Sequence, residues 1–73
     1  MGWQNGKKFI GLWAINENRN AWVYVDGLGW RKLANDNDNI IINFVTLAAH
    51  AKGAGSNVNF REDGDTIKEM YVW

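Results

Sequence analysis

Several of the five Trp residues in this 73-residue chain lie near polar turns in the sequence. A pyranose ring has an apolar C–H face and a rim of hydroxyls. Aromatic faces match the first of these, and Asn, Asp and Glu side chains match the second. This combination predicts carbohydrate binding, and the alternative for each indole is packing in the core or at a contact between subunits. The candidate ligand-binding residues are Trp13, Asn16, Glu17, Asn18, Trp22, Trp30, Asp63 and Asp65.

No group of side chains in the sequence predicts catalysis, a metal site or a cofactor site. His50 is the only His, and nucleophilic catalysis would also need a nucleophile and an orienting group beside it. Glu62, Asp63 and Asp65 surround Gly64, where carboxylates commonly form the turn itself. The chain has no Cys, which excludes disulfides and thiolate zinc sites. We therefore predict that the protein is not an enzyme.

The length and net charge of the chain limit the classes of partner that it can bind. Eight basic residues balance eight acidic ones, and a net charge of zero argues against binding to nucleic acid or to an anionic membrane. No apolar run is long enough to span a membrane, and no signal peptide is visible. A single domain of residues 1–73 buries only about 60% of its unfolded surface. Without disulfides or a metal, oligomerisation is the remaining means of stabilisation, so we predict a homo-oligomer.

Alternating apolar residues and turn signals predict five strands and one helix, a mainly β, α+β protein with the order β-β-β-α-β-β. Residues 1–6 are a loose start or a short edge strand, and Gly11 marks a bulge or a close approach of another backbone. The predicted strands cover residues 7–15, 21–25, 28–34, 57–62 and 66–73.

The predicted helix, Asn43–Gly53, is the only stretch with a helical period. Its start lies between Asn39 and Asn43, because Ile40–Ile42 fit either a strand or a helix. Gly53 is expected to end it at the C′ position. Its apolar arc of about 200° is wider than one core needs, which indicates a second partner. The residues assigned to this contact are Phe44, Val45, Leu47, Ala48, Ala49 and His50, and a His50 repeated around an axis suggests pH-dependent assembly.

This order at this length predicts a small five-stranded Greek-key barrel of the OB type. The sequence also resembles the Shiga toxin B-subunit family, with similarity from Gly6 to near the C-terminus. The matching segments are Gly6-Lys7 at the first strand, Asn16 at the first turn, Val23-Tyr24-Val25 where the family has Val-Lys-Val, and residues 43–47, where it has Asn-Leu-Gln-Ser-Leu.

The resemblance implies a secreted pentameric ring in which helices face a central pore and edge strands join neighbouring subunits. The family's disulfide is absent here, and the loop before the helix is longer. The positions that bind glycolipid sugars in the family hold Asn18, Trp22, Gly29 or Trp30, and Ile42, so that glycan site is not carried over. We expect a pentameric, non-catalytic carbohydrate-binding module. The alternatives are a structural or protein-interaction ring and a single-stranded nucleic-acid-binding OB domain.

Overall fold

The computed structural model describes residues 2–73, which form a small mixed α+β protein made mostly of strands. The predicted fold class is confirmed at this level, and each predicted strand is present with bounds within two residues of those expected. The elements are β1 (Gly2–Lys7), β2 (Phe9–Ala14), β3 (Ala21–Val25), β4 (Gly29–Leu33), α1 (Asp38–Ala54), β5 (Val58–Asp63) and β6 (Thr66–Val72).

All six strands belong to one sheet with the order β1-β5-β6-β4-β3-β2. The pairs are antiparallel except β4 with β6, which is parallel. The sheet is not closed into a barrel, because β1 and β2 lie at its two edges. It is nevertheless strongly coiled, since these two edge strands are separated in the chain by Lys8 alone.

The predicted five-stranded barrel therefore needs correction, because the sheet has six strands and is not closed. The first predicted strand begins only after Lys8. Gly2–Lys7 form the separate edge strand β1, which pairs with β5 and agrees with the second of the two structures predicted for residues 1–6. Register shifts occur on both sides of Lys8, between Gln4 and Lys7 and between Phe9 and Gly11. Such bulges bend a strand and interrupt its ladder, and here they lie on either side of the residue at which the chain passes from one edge of the sheet to the other.

The core lies on the inner side of the coiled sheet, where Phe9 of β2 packs against Phe60 of β5 with ring centroids 6.2 Å apart, and α1 covers it beside β2, β3 and β4. Alternation in β3 directs Val23 and Val25 into it and leaves Trp22 and Tyr24 on the outer face, as the sequence predicts. The side chains buried in the core are Phe9, Val23, Val25, Leu33, Ile41, Ala48, Ala51, Val58, Phe60, Ile67 and Met70.

Helix α1 is longer than predicted at both ends. The Asn37 side chain caps its N-terminus by accepting a 2.9 Å hydrogen bond from the Ile40 N–H. Ile40–Ile42 are helical, and the burial of Ile41 against the sheet favours this choice over a strand. Gly53 lies inside the helix, so its assignment as C′ is wrong. Gly55 ends the helix in the left-handed region, with φ 66°.

A buried ion pair crosses the inner side of the sheet. Glu62 of β5 is only 7% exposed and accepts hydrogen bonds from Arg31 at 2.8 Å and from Gln4 at 3.1 Å. Arg31 also donates to the Leu28 and Trp30 carbonyls. The Arg31 hydrogen bond lowers the pKa of Glu62 below its ordinary value, although burial acts in the opposite direction.

Candidate functional site

Four aromatic side chains form a continuous surface on the outer face of β2, β3 and β4, which we call the first aromatic face. It consists of Trp13, Trp22, Tyr24 and Trp30. Trp13 is paired with Trp22 across β2 and β3, and Tyr24 is paired with Trp30 across β3 and β4. Side chains of directly opposed residues point to the same side of a sheet. The three strands therefore bring together Trp13, Trp22 and Trp30, which the sequence identified as candidates.

The rings of the first aromatic face pack at angles to each other. Tyr24 and Trp30 meet edge to face, with centroids 5.3 Å apart and planes at 90°. Trp13 lies 5.9 Å from Trp30 and 6.0 Å from Trp22. These separations lie within the favourable range for aromatic pairs. Trp13 is still 48% exposed and Trp30 42%, so ring surface remains available for a ligand.

Gly11 of β2 makes room for this arrangement. A Cβ atom at Gly11 would lie 3.1 Å from Tyr24 Cβ and 3.8 Å from Trp30 Cη2. The Trp30 ring therefore reaches from β4 to the backbone of β2. The predicted bulge is present between Phe9 and Gly11, while the atoms that approach Gly11 closely belong to side chains and not to another backbone.

The turn between β2 and β3 attaches polar groups to the rim of the first aromatic face. Trp22 Nε1–H donates to Asn20 Oδ1 at 2.7 Å, and Asn20 Nδ2 donates to Glu17 Oε1 at 2.7 Å. Lys32 Nζ lies 5.9 Å from the Trp22 ring centroid, a cation–π distance. Glu17 is thus connected through Asn20 to Trp22. The predicted residues Asn16 and Asn18 are exposed in the same turn.

The same turn is fixed to the loop before α1. Arg19 adopts φ 52°, and its carbonyl accepts a 3.1 Å hydrogen bond from Asn35 Nδ2. Its guanidinium lies 3.4 Å from Asp38 in the first turn of the helix. These contacts give the polar turn a defined position beside the aromatic rings.

The other predicted acidic residues lie in the hairpin between β5 and β6. The hairpin reaches β4 through its backbone, because the Asp65 carbonyl accepts a 2.7 Å hydrogen bond from the Lys32 N–H. Asp63 and Asp65 are exposed. Their carboxylates make no hydrogen bond or ion pair within residues 2–73, so no polar contact attaches them to the aromatic rings.

The helix residues predicted for a subunit contact are divided between two environments. Ala48 is buried in the chain's own core, and Phe44 is partly buried against it. Val45, Leu47, Ala49 and His50 are exposed. Val45 and Ala49 also line a groove of about 150 Å³ between the helix and the β2 edge. The other residues that line this groove are Leu12, Trp13, Ala14, Ala21, Trp22, Leu33 and Ala48.

Several aromatic residues of the outer face were not among the predicted site residues. Tyr24 could have been included, since it alternates with Trp22 in a strand whose other face is small and aliphatic. Trp3, Tyr71 and Trp73 form a second exposed group, in which Trp3 and Tyr71 stack at 5.7 Å. Alternation places Tyr71 and Trp73 on one face, but nothing local to Trp3 indicates which strand it joins.

The described residues contain no group of three or more His, Cys, Asp and Glu side chains arranged to hold a metal ion. Within residues 2–73, the helix lacks the length and apolar character needed to cross a membrane. Comparisons of the chain with protein-family models, with curated proteins and with solved structures find no match.

Proposed function

We propose that the protein is a non-catalytic carbohydrate-binding module whose ligand lies on the first aromatic face. The observation that carries this proposal is the convergence of Trp13, Trp22 and Trp30 from three adjacent strands, with centroids of neighbouring rings about 6 Å apart. Exposed indole surface of this kind complements the C–H face of a pyranose ring.

Polar groups on the rim of the first aromatic face favour a sugar as the ligand rather than a purely apolar molecule. Glu17 and Asn20 belong to a hydrogen-bonded chain that ends at the Trp22 indole. Lys32, which is opposite Trp22 on β4, adds a donor over the Trp22 ring. Amide, carboxylate and ammonium groups together offer the donors and acceptors that a hydroxyl rim requires.

A glycan array with the wild-type protein and two single variants tests this proposal. Trp13→Ala and Trp30→Ala each remove a half-exposed ring, and we expect each to weaken binding about tenfold or more. Asn43→Ala is the control, because it truncates an exposed helix side chain that lies outside both the aromatic face and the apolar flank of α1. Thermal unfolding verifies that each variant is folded. An unchanged array profile in both Trp variants would refute the role of this face.

We further propose that the module assembles as a homo-oligomer, with a pentamer favoured by the resemblance to toxin B subunits. Support comes from Ile42, Val45 and Ala49, which form an exposed apolar flank of α1, and from the unpaired edge of β2 beside it. Uncovered strand edges of this type favour pairing with another chain. A ring would also combine weak single sites into higher avidity.

The connectivity supports a relationship with the OB fold. When β1 and β2 are counted as two halves of one strand interrupted at Lys8, five strands remain, with α1 between the third and fourth. Counted in this way, the order is β-β-β-α-β-β. The open sheet is compatible with an architecture that is described as only partly closed.

A further inference from the structure

Trp3, Tyr71 and Trp73 form a second aromatic face on the outer side of β1, β5 and β6, in the other half of the sheet. Trp3 and Tyr71 stack with centroids 5.7 Å apart and planes at 11°. Tyr71 and Trp73 lie 6.4 Å apart. Because β5 separates β1 from β6, the Trp3 and Tyr71 rings meet above β5.

Trp73 is the most exposed aromatic residue of the two faces, at 71%, yet its backbone is fixed. Its N–H donates a 2.9 Å hydrogen bond to the Asn57 carbonyl, which continues the β5–β6 ladder. A large indole is therefore held next to Tyr71 without being buried. Such a side chain can contact the edge of a ligand that lies on the Trp3–Tyr71 stack.

Polar side chains of β5 and β6 flank the stacked rings. Arg61 pairs with Trp3 on one side and with Glu69 on the other. Arg61 Nε donates to Glu69 Oε1 at 3.1 Å, and both side chains remain more than 40% exposed. Asn59 is opposite Tyr71 and uses its Oδ1 to accept from the Gly6 N–H at 2.8 Å. The Asn59 amide nitrogen therefore still has donor capacity.

We propose that the second aromatic face is a separate site for a neutral pyranose. The apolar ring face lies on the Trp3–Tyr71 stack, Glu69 accepts hydroxyl protons, and Arg61 and Asn59 donate to hydroxyl oxygens. The charges of Arg61 and Glu69 cancel, so the site offers no net attraction to an acidic sugar. This site rests on the geometry of β1, β5 and β6 and does not require that the first aromatic face bind sugar.

The five Trp residues provide one indole N–H resonance each, which distinguishes the two faces in a ¹H–¹⁵N correlation spectrum. Single Trp→Phe variants assign the five signals. The probes are methyl glycosides of common hexoses, 6-deoxyhexoses and N-acetylhexosamines, with methyl β-D-glucuronide as the anionic comparison. We expect a neutral glycoside to shift the Trp3 and Trp73 signals saturably, and we expect the glucuronide to shift them less.

Glu69→Gln should weaken this binding about tenfold, because it replaces a charged acceptor by a neutral one. Asp26→Asn is the matched control, since Asp26 is an exposed carboxylate in the β3–β4 turn, and it should bind as the wild type does. Both variants keep the shape of the side chain, and the dispersion of the remaining signals reports their folding.

The outcomes separate this inference from the proposed function. Shifts confined to Trp13, Trp22 and Trp30 would overturn the second site and leave the first. Shifts confined to Trp3 and Trp73 would support the second site and count against the first. A preference of Trp3 and Trp73 for the glucuronide, or an absence of shifts at these two residues with the whole panel, would overturn the inference.

Discussion

Glu62 is the only buried charged side chain among residues 2–73. It connects strands that are distant in the sequence. Its carboxylate contacts Arg31 of β4 and Gln4 of β1. Breaking a buried, hydrogen-bonded pair leaves the other charge without a partner, which is costly. The strand β1, which carries Trp3, is thus connected through Glu62 to β4, which carries Trp30.

The lowered pKa of Glu62 predicts a pH-dependent contribution to stability. This contribution is fully present above the unfolded carboxyl pKa of about 4.3 and is lost as the pH falls through the lower pKa of the folded state. We expect Glu62→Gln to cost about 2–4 kcal/mol at neutral pH, with a smaller difference from wild type at pH of about 3. Urea unfolding followed by Trp fluorescence at several pH values measures this difference.

Glu69→Gln is a suitable control for this experiment, because the Arg61–Glu69 pair is exposed. Exposed ion pairs contribute about 1 kcal/mol or less. A Glu62→Gln penalty that is equally large at acidic and neutral pH would contradict the assignment of the ionised carboxylate as the stabilising form.

Helix α1 shows how caps define an element. Asn37 supplies the N-terminal cap, and Ala51 O accepts hydrogen bonds from the Gly55 and Ser56 N–H groups at the other end. Between the caps, only the side of the helix that contains Ile41, Ala48 and Ala51 is buried. The wide apolar arc noted in the sequence therefore leaves exposed apolar side chains beside the core.

Two glycines near the end of α1 should respond to substitution in opposite directions. Gly53 is helical, and a Cβ atom there meets nothing within 4 Å, so Gly53→Ala should stabilise the protein by about 0.5–1 kcal/mol. Gly55 has φ 66°, so Gly55→Ala should destabilise it by about 1 kcal/mol. Thermal unfolding of the two variants and the wild type measures the sign of each change in stability. The reverse order would place the helix end at Gly53, as first predicted.

The whole molecule combines a strongly coiled sheet with apolar surface on both the sheet and the helix. The groove lined by Leu12, Ala14, Val45 and Ala49 joins the helix flank to the first aromatic face through Trp13. The surfaces proposed for binding and for assembly are therefore neighbours. A domain of this size buries a limited fraction of its own surface, and association would cover more.

Assembly predicts a mass of five times 8.3 kDa by light scattering. Val45 is 41% exposed, so Val45→Glu should leave the monomer folded while it places a charge in the proposed contact. We expect this variant to have a markedly lower mass than the wild type. Asn57→Glu adds the same charge at an exposed position before β5 and should keep the wild-type mass. A monomeric wild-type protein would refute assembly.

The strands, the faces of β3 and β5 and the single helix could be predicted from the sequence, because alternation and turn residues act over a few neighbouring positions. Val23 and Val25 point inwards and Trp22 and Tyr24 outwards for this local reason. The pairing of β1 with β5, the break at Lys8 and the open sheet could not be predicted, because they depend on strands more than 50 residues apart.

The same division applies to the candidate sites. The residue types of Trp13, Trp22 and Trp30 were apparent from the sequence, but their convergence depends on the register of β2, β3 and β4 and on the space above Gly11. The meeting of Trp3 with Tyr71 required β5 between their strands. Local alternation determines which side of a strand a residue occupies where the strand has no bulge, as in β3, and the bulges in β2 and β6 change that side. Only tertiary pairing decides which other side chains a residue meets there.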